Sequence, residues 1–159
     1  MKSKTLLIAS DHAGFVLKEK LKVYLEKKNF KIKDLGTFSS ESCDYPDFAA
    51  PLAKKISQGQ YRWGILICKT GIGNSIVANR FRGVRAALCY NLKAARLSRE
   101  HNDSNVLVLG ASFVDFDLAK RIVKVWLQTP FLGKRHKRRL NKIKKIEKEI
   151  LEDENYKKY

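Results

Sequence analysis

The stretch WGILICKTGIGNS, residues 63–75, decides how the rest of the chain is read. Ile65-Leu66-Ile67 is a short continuous apolar run of the kind that fills a strand buried on both faces. It ends in Cys68. The small-residue loop Lys69-Thr70-Gly71-Ile72-Gly73-Asn74-Ser75 follows, and the apolar pattern resumes as a helix expected from about Asn74 to Phe81. Backbone N–H groups in such a strand–turn–helix corner make a place for negative charge, and glycines let the backbone come close to a ligand. The loop lacks the G-K-[ST] of a Walker loop and the G-x-G-x-x-G of a dinucleotide site, with no acidic residue about 20 positions on. A thiol here, beside a helix N-terminus and Lys69, is expected to have a lowered pKa. As a thiolate it could abstract a proton or attack a carbonyl.

Working outward, strands are expected at 5–10, 30–35, 63–68, 84–89 and 105–109, alternating with helices. Ala13 to Lys28 repeats its apolar residues at helical spacing (Phe15, Leu17, Leu21, Leu25). A helix follows the polar loop 37–47 and runs to about Ser57, with Pro51 expected in its first turn. Further helices are expected at 92–100 and 115–127, and a long basic one at 134–151 carries Leu140, Ile143, Ile146 and Ile150 on one stripe. Strands alternating with helices predict a single-domain, Rossmann-like α/β three-layer sandwich with a five-stranded parallel sheet and a C-terminal basic helix. The domain is set at residues 1–151, with 133–151 as the C-terminal helix and 152–159 as a frayed tail. Ligands of such sheets bind beyond the C-terminal strand ends. That directs attention to 10–12, 36–47, 68–75, 89–91 and 110–112.

The 159 residues include 44% hydrophobic ones, enough for one cored domain, and no apolar run approaches a membrane span. Three cysteines without C-x-x-C spacing suggest neither a disulfide framework nor a zinc site, and a reduced, cytoplasmic chain is expected. The net charge of +17 is spread widely: 22 basic against 11 acidic residues in 1–128, and 11 against 5 in 129–159. Only GKRHKRRLNKIKK (133–145) is a dense patch. There Arg135 and Arg139 lie one helical turn apart, suited to gripping a phosphate with two planar forks. Aromatics near that run are few, so nucleic acid is not expected as a partner.

SDHAGF (10–15), DYPDFA (44–49), GILICKTGIGNSIVAN (64–79), GVRAAL (83–88), SREHNDSNVLVLGA (98–111) and GKRHKRR (133–139) together resemble the type B ribose-5-phosphate isomerases. That family also includes the galactose-6-phosphate isomerase subunits, and the resemblance spans about Leu6 to Ile146. It implies an aldose–ketose isomerase of the non-oxidative pentose phosphate pathway that uses neither metal nor cofactor. It also implies a homodimer or dimer of dimers with a site shared between subunits. By position, Cys68 would move the proton between C1 and C2 of the open-chain sugar. Backbone N–H groups of Gly71, Ile72, Gly73, Asn74 and Ser75 would hold the enediolate oxygens, with the Thr70 hydroxyl nearby. His101 would open the furanose ring as general acid. Asp11, His12, Tyr45 and Asn102 would contact the sugar, and Arg135, His136 and Arg139 its phosphate. The chain departs from the family pattern at Lys69 and Lys134, where glycine is usual, and at Ser112, where arginine is common. A hexose phosphate is the alternative substrate, and an inactive polyanion-binding protein the more distant one.

Overall fold

A computed structural model describes residues 5–153. Five strands, β1 (Thr5–Ser10), β2 (Lys31–Asp34), β3 (Gly64–Cys68), β4 (Ala86–Leu88) and β5 (Val106–Gly110), form one sheet in the order β2-β1-β3-β5-β4. Every pairing is parallel, with Ile8 opposite Ile65 and Cys68 opposite Gly110. The central strands β3 and β5 are buried along their whole length because helices cover both faces. On one face α1 (Phe15–Glu26), α4 (Leu92–Asn102) and α5 (Phe116–Gln128) bury Leu21, Ala95, Ile122 and Trp126. On the other, α2 (Pro46–Ser57) and α3 (Ile72–Ala78) bury Leu52, Ala53 and Ala78. The three-layer α/β sandwich expected from the alternation is the fold observed.

The last helix, α6 (Lys134–Glu152), lies along the β4 edge. It is anchored by buried His136 and Leu140 and by a hydrogen bond from Gly83 N–H to Glu147, 2.9 Å. Beneath it, the Asn79 side chain closes that edge of the sheet. Its Nδ2 donates to the Ala86 carbonyl (3.0 Å) and its Oδ1 accepts from the Ala86 N–H (2.9 Å), a side-chain imitation of a neighbouring strand.

At the opposite edge, α1 is fastened to the end of β2 by a buried charge cluster. Lys18 is fully buried and donates to Asp34 (2.5 Å) and Glu19 (2.7 Å), while Lys22 reaches the same Asp34 oxygen at 2.6 Å. The other Asp34 oxygen accepts the Gly36 N–H at 2.9 Å, so the cluster also fixes where loop 37–45 begins. Burial opposes ionisation of Asp34, but hydrogen bonds from Lys18, Lys22 and Gly36 hold its carboxyl below the usual range.

Three local expectations need correction. The helix after the glycine loop starts at Ile72, two residues before Asn74, because Gly71 takes φ +81° and turns the chain within one residue. Pro51 is the sixth residue of α2, and Pro46 occupies its start. Pro51 and Asp47 are both exposed, so water can satisfy the carbonyl that a Pro51 N–H would have met. The final helix continues through Glu152, and the tail expected to fray lies, from 154 on, outside the described residues.

Candidate active site

The strand order reverses between β1 and β3, and the crevice beyond their C-terminal ends is where such a sheet takes a ligand. Asp11 and His12 leave β1 there, and Cys68 to Ser75 leave β3. The Asp11 carboxylate accepts the Gly14 N–H at 3.0 Å and is nearly buried. His12 Nδ1 lies 3.1 Å from both the backbone N and O of Cys43, so loop 37–45 orients this imidazole. Tyr45, just ahead of α2, lays its ring on Gly73, where a Cβ would come within 2.5 Å of the ring. Glycine at 73 is therefore a packing requirement of the crevice.

Cys68 is 4% exposed, and Gly71 N–H points at its sulfur from 3.1 Å. The N–H groups of Asn74 and Thr70 also act on it. Burial nevertheless pushes the Cys68 thiol up, and the Asp11 charge adds to the rise; the backbone N–H groups of Asn74, Gly71 and Thr70 only offset it. The lowered pKa expected from the sequence is thus overturned. Lys69 is exposed, and desolvation of a buried thiolate outweighs a helix terminus of seven residues.

The cradle also divides its donors differently from the expectation. Gly71 and Asn74 turn their N–H groups to the sulfur. Ser75 cannot serve an external oxyanion, because its N–H donates to Gly71 O at 3.0 Å and closes the first turn of α3. Ile72 N–H rests on Thr70 Oγ1 at 3.3 Å, and Gly73 N–H has no acceptor among the described residues. Those two amides and the Thr70 hydroxyl remain for a substrate oxygen. The Asn74 side chain is 1% exposed, and neither of its amide atoms has a hydrogen-bond partner among the described residues. The loop itself is clamped: Tyr90 hydroxyl donates to Thr70 O at 3.0 Å, and Ala111 and Ser112 N–H donate to Cys68 O and Lys69 O, both 2.9 Å.

His101, Asn102, Arg135, His136 and Arg139 gather elsewhere. The imidazoles of His101 and His136 stack at 4.2 Å with 8° between planes, and Arg135 Nε lies 3.5 Å from His136 Nε2. Burial, then the charges of His101, Arg135 and Arg139, push the His136 imidazole down. This group sits where α4 ends, beside the start of β4: Arg85 Nε donates to Asn102 O at 3.0 Å. Helix α4 runs back from the C-terminal strand ends to the N-terminal ones, and its eleven residues span about 15 Å along the sheet. One chain does not bring Cys68 and His101 together.

Nothing in the sequence pointed to the His101–His136 stack, which joins residues 35 apart. Nor did it identify Cys43 and Tyr90 as supports of the crevice, although both lie in segments expected at the strand ends. Among the described residues no group of three or more His, Cys, Asp or Glu could hold a metal ion, and no helix is long and apolar enough to cross a membrane.

A parallel α/β sheet with a cysteine in an amide cradle at its switch point describes a class of small-molecule enzymes. The comparisons narrow it: residues 6–143 match the Ribose/Galactose Isomerase family, and the chain belongs to that family. It is 44% identical to "Ribose-5-phosphate isomerase B" of Escherichia coli (strain K12), over 91% of this chain and 97% of that protein. Among solved structures, the Clostridium thermocellum ribose-5-phosphate isomerase B is 47% identical with a TM-score of 0.89, covering 91% of this chain and 98% of the other. The Mycoplasma genitalium ribose-5-phosphate isomerase B, solved with bound ribulose-5-phosphate, is 42% identical with a TM-score of 0.89, over 94% and 99%.

Proposed function

We propose that this chain interconverts ribose 5-phosphate and ribulose 5-phosphate in a site completed by a second copy of itself. The observation that carries the chemistry is the buried Cys68 sulfur facing backbone N–H groups in the switch-point crevice. The relatives' ribose-5-phosphate isomerase names and the ribulose-5-phosphate complex support the choice of sugar.

In this reading Cys68 takes the proton from C2 of the open-chain aldose and returns it to C1. A sulfur whose thiol is pushed up is a stronger base once ionised, and the same burial lowers the competing reactions of a free thiolate. As C2 is deprotonated, charge grows on the carbonyl oxygen, and the Gly73 and Ile72 amides meet it. A proton must also move from O2 to O1, and the Thr70 hydroxyl lies beside that path. The second copy supplies the phosphate clamp, Arg135 and Arg139, together with His101 as ring-opening acid. Helix α6 leaves Ile143, Ile146 and Ile150 exposed on one stripe, which suits a contact between copies.

Purified protein is assayed for ketose formation from ribose 5-phosphate with chelator present, beside allose 6-phosphate and galactose 6-phosphate. Turnover of ribose 5-phosphate is expected, falling about 10²–10⁴-fold in Cys68→Ala. Preference for a hexose phosphate would change the substrate assigned, and full activity of the variant would remove Cys68 from the mechanism. His101→Asn should slow ribose 5-phosphate more than ribulose 5-phosphate, because the ketose carries phosphate on the oxygen that would close its ring and needs no opening. Equal loss on both would refute the ring-opening role.

A further inference from the structure

The basic charge has a second address, away from both half-sites. In the seam between α1 and α5 two cavities of about 500 Å³ and about 400 Å³ adjoin through Tyr24. The deeper one has an apolar floor of Leu25, Phe30, Val123 and Leu127, with Lys28 and Lys124 at its mouth. The other continues along the seam past Lys20, Lys27 and Lys120. Five lysines thus border a groove whose lining contains no carboxylate. Lys120 pairs with Asp117 at 2.6 Å, while Lys20, Lys27, Lys28 and Lys124 have no carboxylate partner among the described residues. Lys20 and Lys120 also stand over the ring of Phe116, at 5.9 and 4.6 Å. In α6, by contrast, no lysine or arginine of the basic run stands over a Phe, Tyr or Trp ring among the described residues.

We propose that this seam binds a nucleoside polyphosphate, with the base in the apolar lobe against Tyr24 and Phe30 and the phosphates along the lysines. The volume is in the range of small-molecule sites, roughly 300–1,000 Å³. A single carboxylate or phosphate would leave most of the lysines unmatched, and a bare polyphosphate would leave the apolar floor unused. A ring joined to several negative charges satisfies both halves. Lys20 lies on α1 and Lys120 and Lys124 on α5, while Lys27 and Lys28 lie in the turn that ends α1, where their N–H groups donate to Val23 O and Leu25 O, so the cluster is held by the fold.

Calorimetric titration of the full-length protein tests this with ATP, tripolyphosphate, adenosine and a twelve-nucleotide oligouridylate, each with and without saturating ribose 5-phosphate. ATP should bind once per chain, at least about tenfold tighter than tripolyphosphate or adenosine, and ribose 5-phosphate should not displace it. Lys28→Gln with Lys124→Gln should weaken ATP about tenfold or more while phosphosugar turnover stays unchanged, and Lys28→Arg with Lys124→Arg should retain binding. Four results would each overturn the proposal: tripolyphosphate binding as tightly as ATP, an unaffected double variant, displacement by ribose 5-phosphate, or oligouridylate binding tenfold tighter than ATP. The first means a generic polycation, the second and third another site, and the fourth a nucleic-acid surface.

Discussion

At Cys68 two opposing effects meet on one sulfur atom: amide dipoles that favour the anion, and burial that favours the thiol. Burial wins, and this has a measurable sign. A thiol whose folded pKa is raised is protonated at neutral pH, and the stability linked to it is complete below the ordinary thiol range and lost as pH rises through the folded value. Site-resolved alkylation across a pH series, followed by peptide mass, should therefore give Cys68 a midpoint above the ordinary thiol range. A lower midpoint for Cys68 would reverse the argument. The location of this cysteine was legible in the sequence, since an apolar run followed by small residues says strand, corner and helix. Its ionisation was not, because burial depends on the surrounding elements and the Asp11 charge arrives from the end of β1, neither of which local sequence displays.

A second residue-scale prediction concerns Lys134, which takes φ +46° directly after Gly133 at φ +67°. A side chain in this left-handed region costs about 1 kcal/mol that glycine would not. Lys134→Gly should raise the unfolding free energy by about 0.5–1 kcal/mol in a denaturant titration. A loss of stability would mean that the lysine makes a compensating contact. The chain resembled its family here except for this lysine, and only the backbone angle explains why glycine suits the position.

Among the elements, the Lys18–Asp34 cluster joins α1 to the end of β2 and thereby to loop 37–45. Removing one member of a buried pair strands the other, so Asp34→Asn should destabilise by about 3–5 kcal/mol. Lys18→Met, which removes the buried cation and leaves Lys22 on Asp34, should cost less. Equal costs in the two variants would show that the cluster is not a pair in this sense. Because the Asp34 carboxyl is held below the usual range, its contribution is present above the ordinary carboxylate pKa and lost as pH falls through the folded value. The helices and strands themselves were readable from period and length, and their ends differed by one to three residues. Lys18 was not readable as buried, since a lysine on an amphipathic helix ordinarily faces water, and this one is held inside by Asp34 and Glu19.

For the whole molecule, Cys68 and His101 stand at opposite ends of the sheet, so the reaction proposed above requires a second copy of the chain. Cys68→Ala and His101→Asn are each expected to be nearly inactive. Mixed, unfolded and refolded together, they should regain about one quarter of wild-type activity, since about half of randomly formed two-fold dimers are mixed and each has one intact site. No recovery would place both residues of a site in one chain. Anion binding should also be visible at the clamp: phosphate must raise the depressed His136 titration, followed by imidazole proton shifts in NMR, because a bound dianion favours the imidazolium. This division was latent in the sequence. A helix that follows a parallel strand must run back along it, so a residue at a helix end and one at a strand end lie on opposite sides.

The side-chain amide of Asn79 ties the edge of the sheet to the chemistry of one functional group. Its Nδ2 and Oδ1 seal the last strand by one donor and one acceptor. Hydrolysis of that amide with age would leave two oxygens, one of them set against the Ala86 carbonyl. The seal would then repel where it had bonded, and β4 would lose that hold at the edge beneath α6.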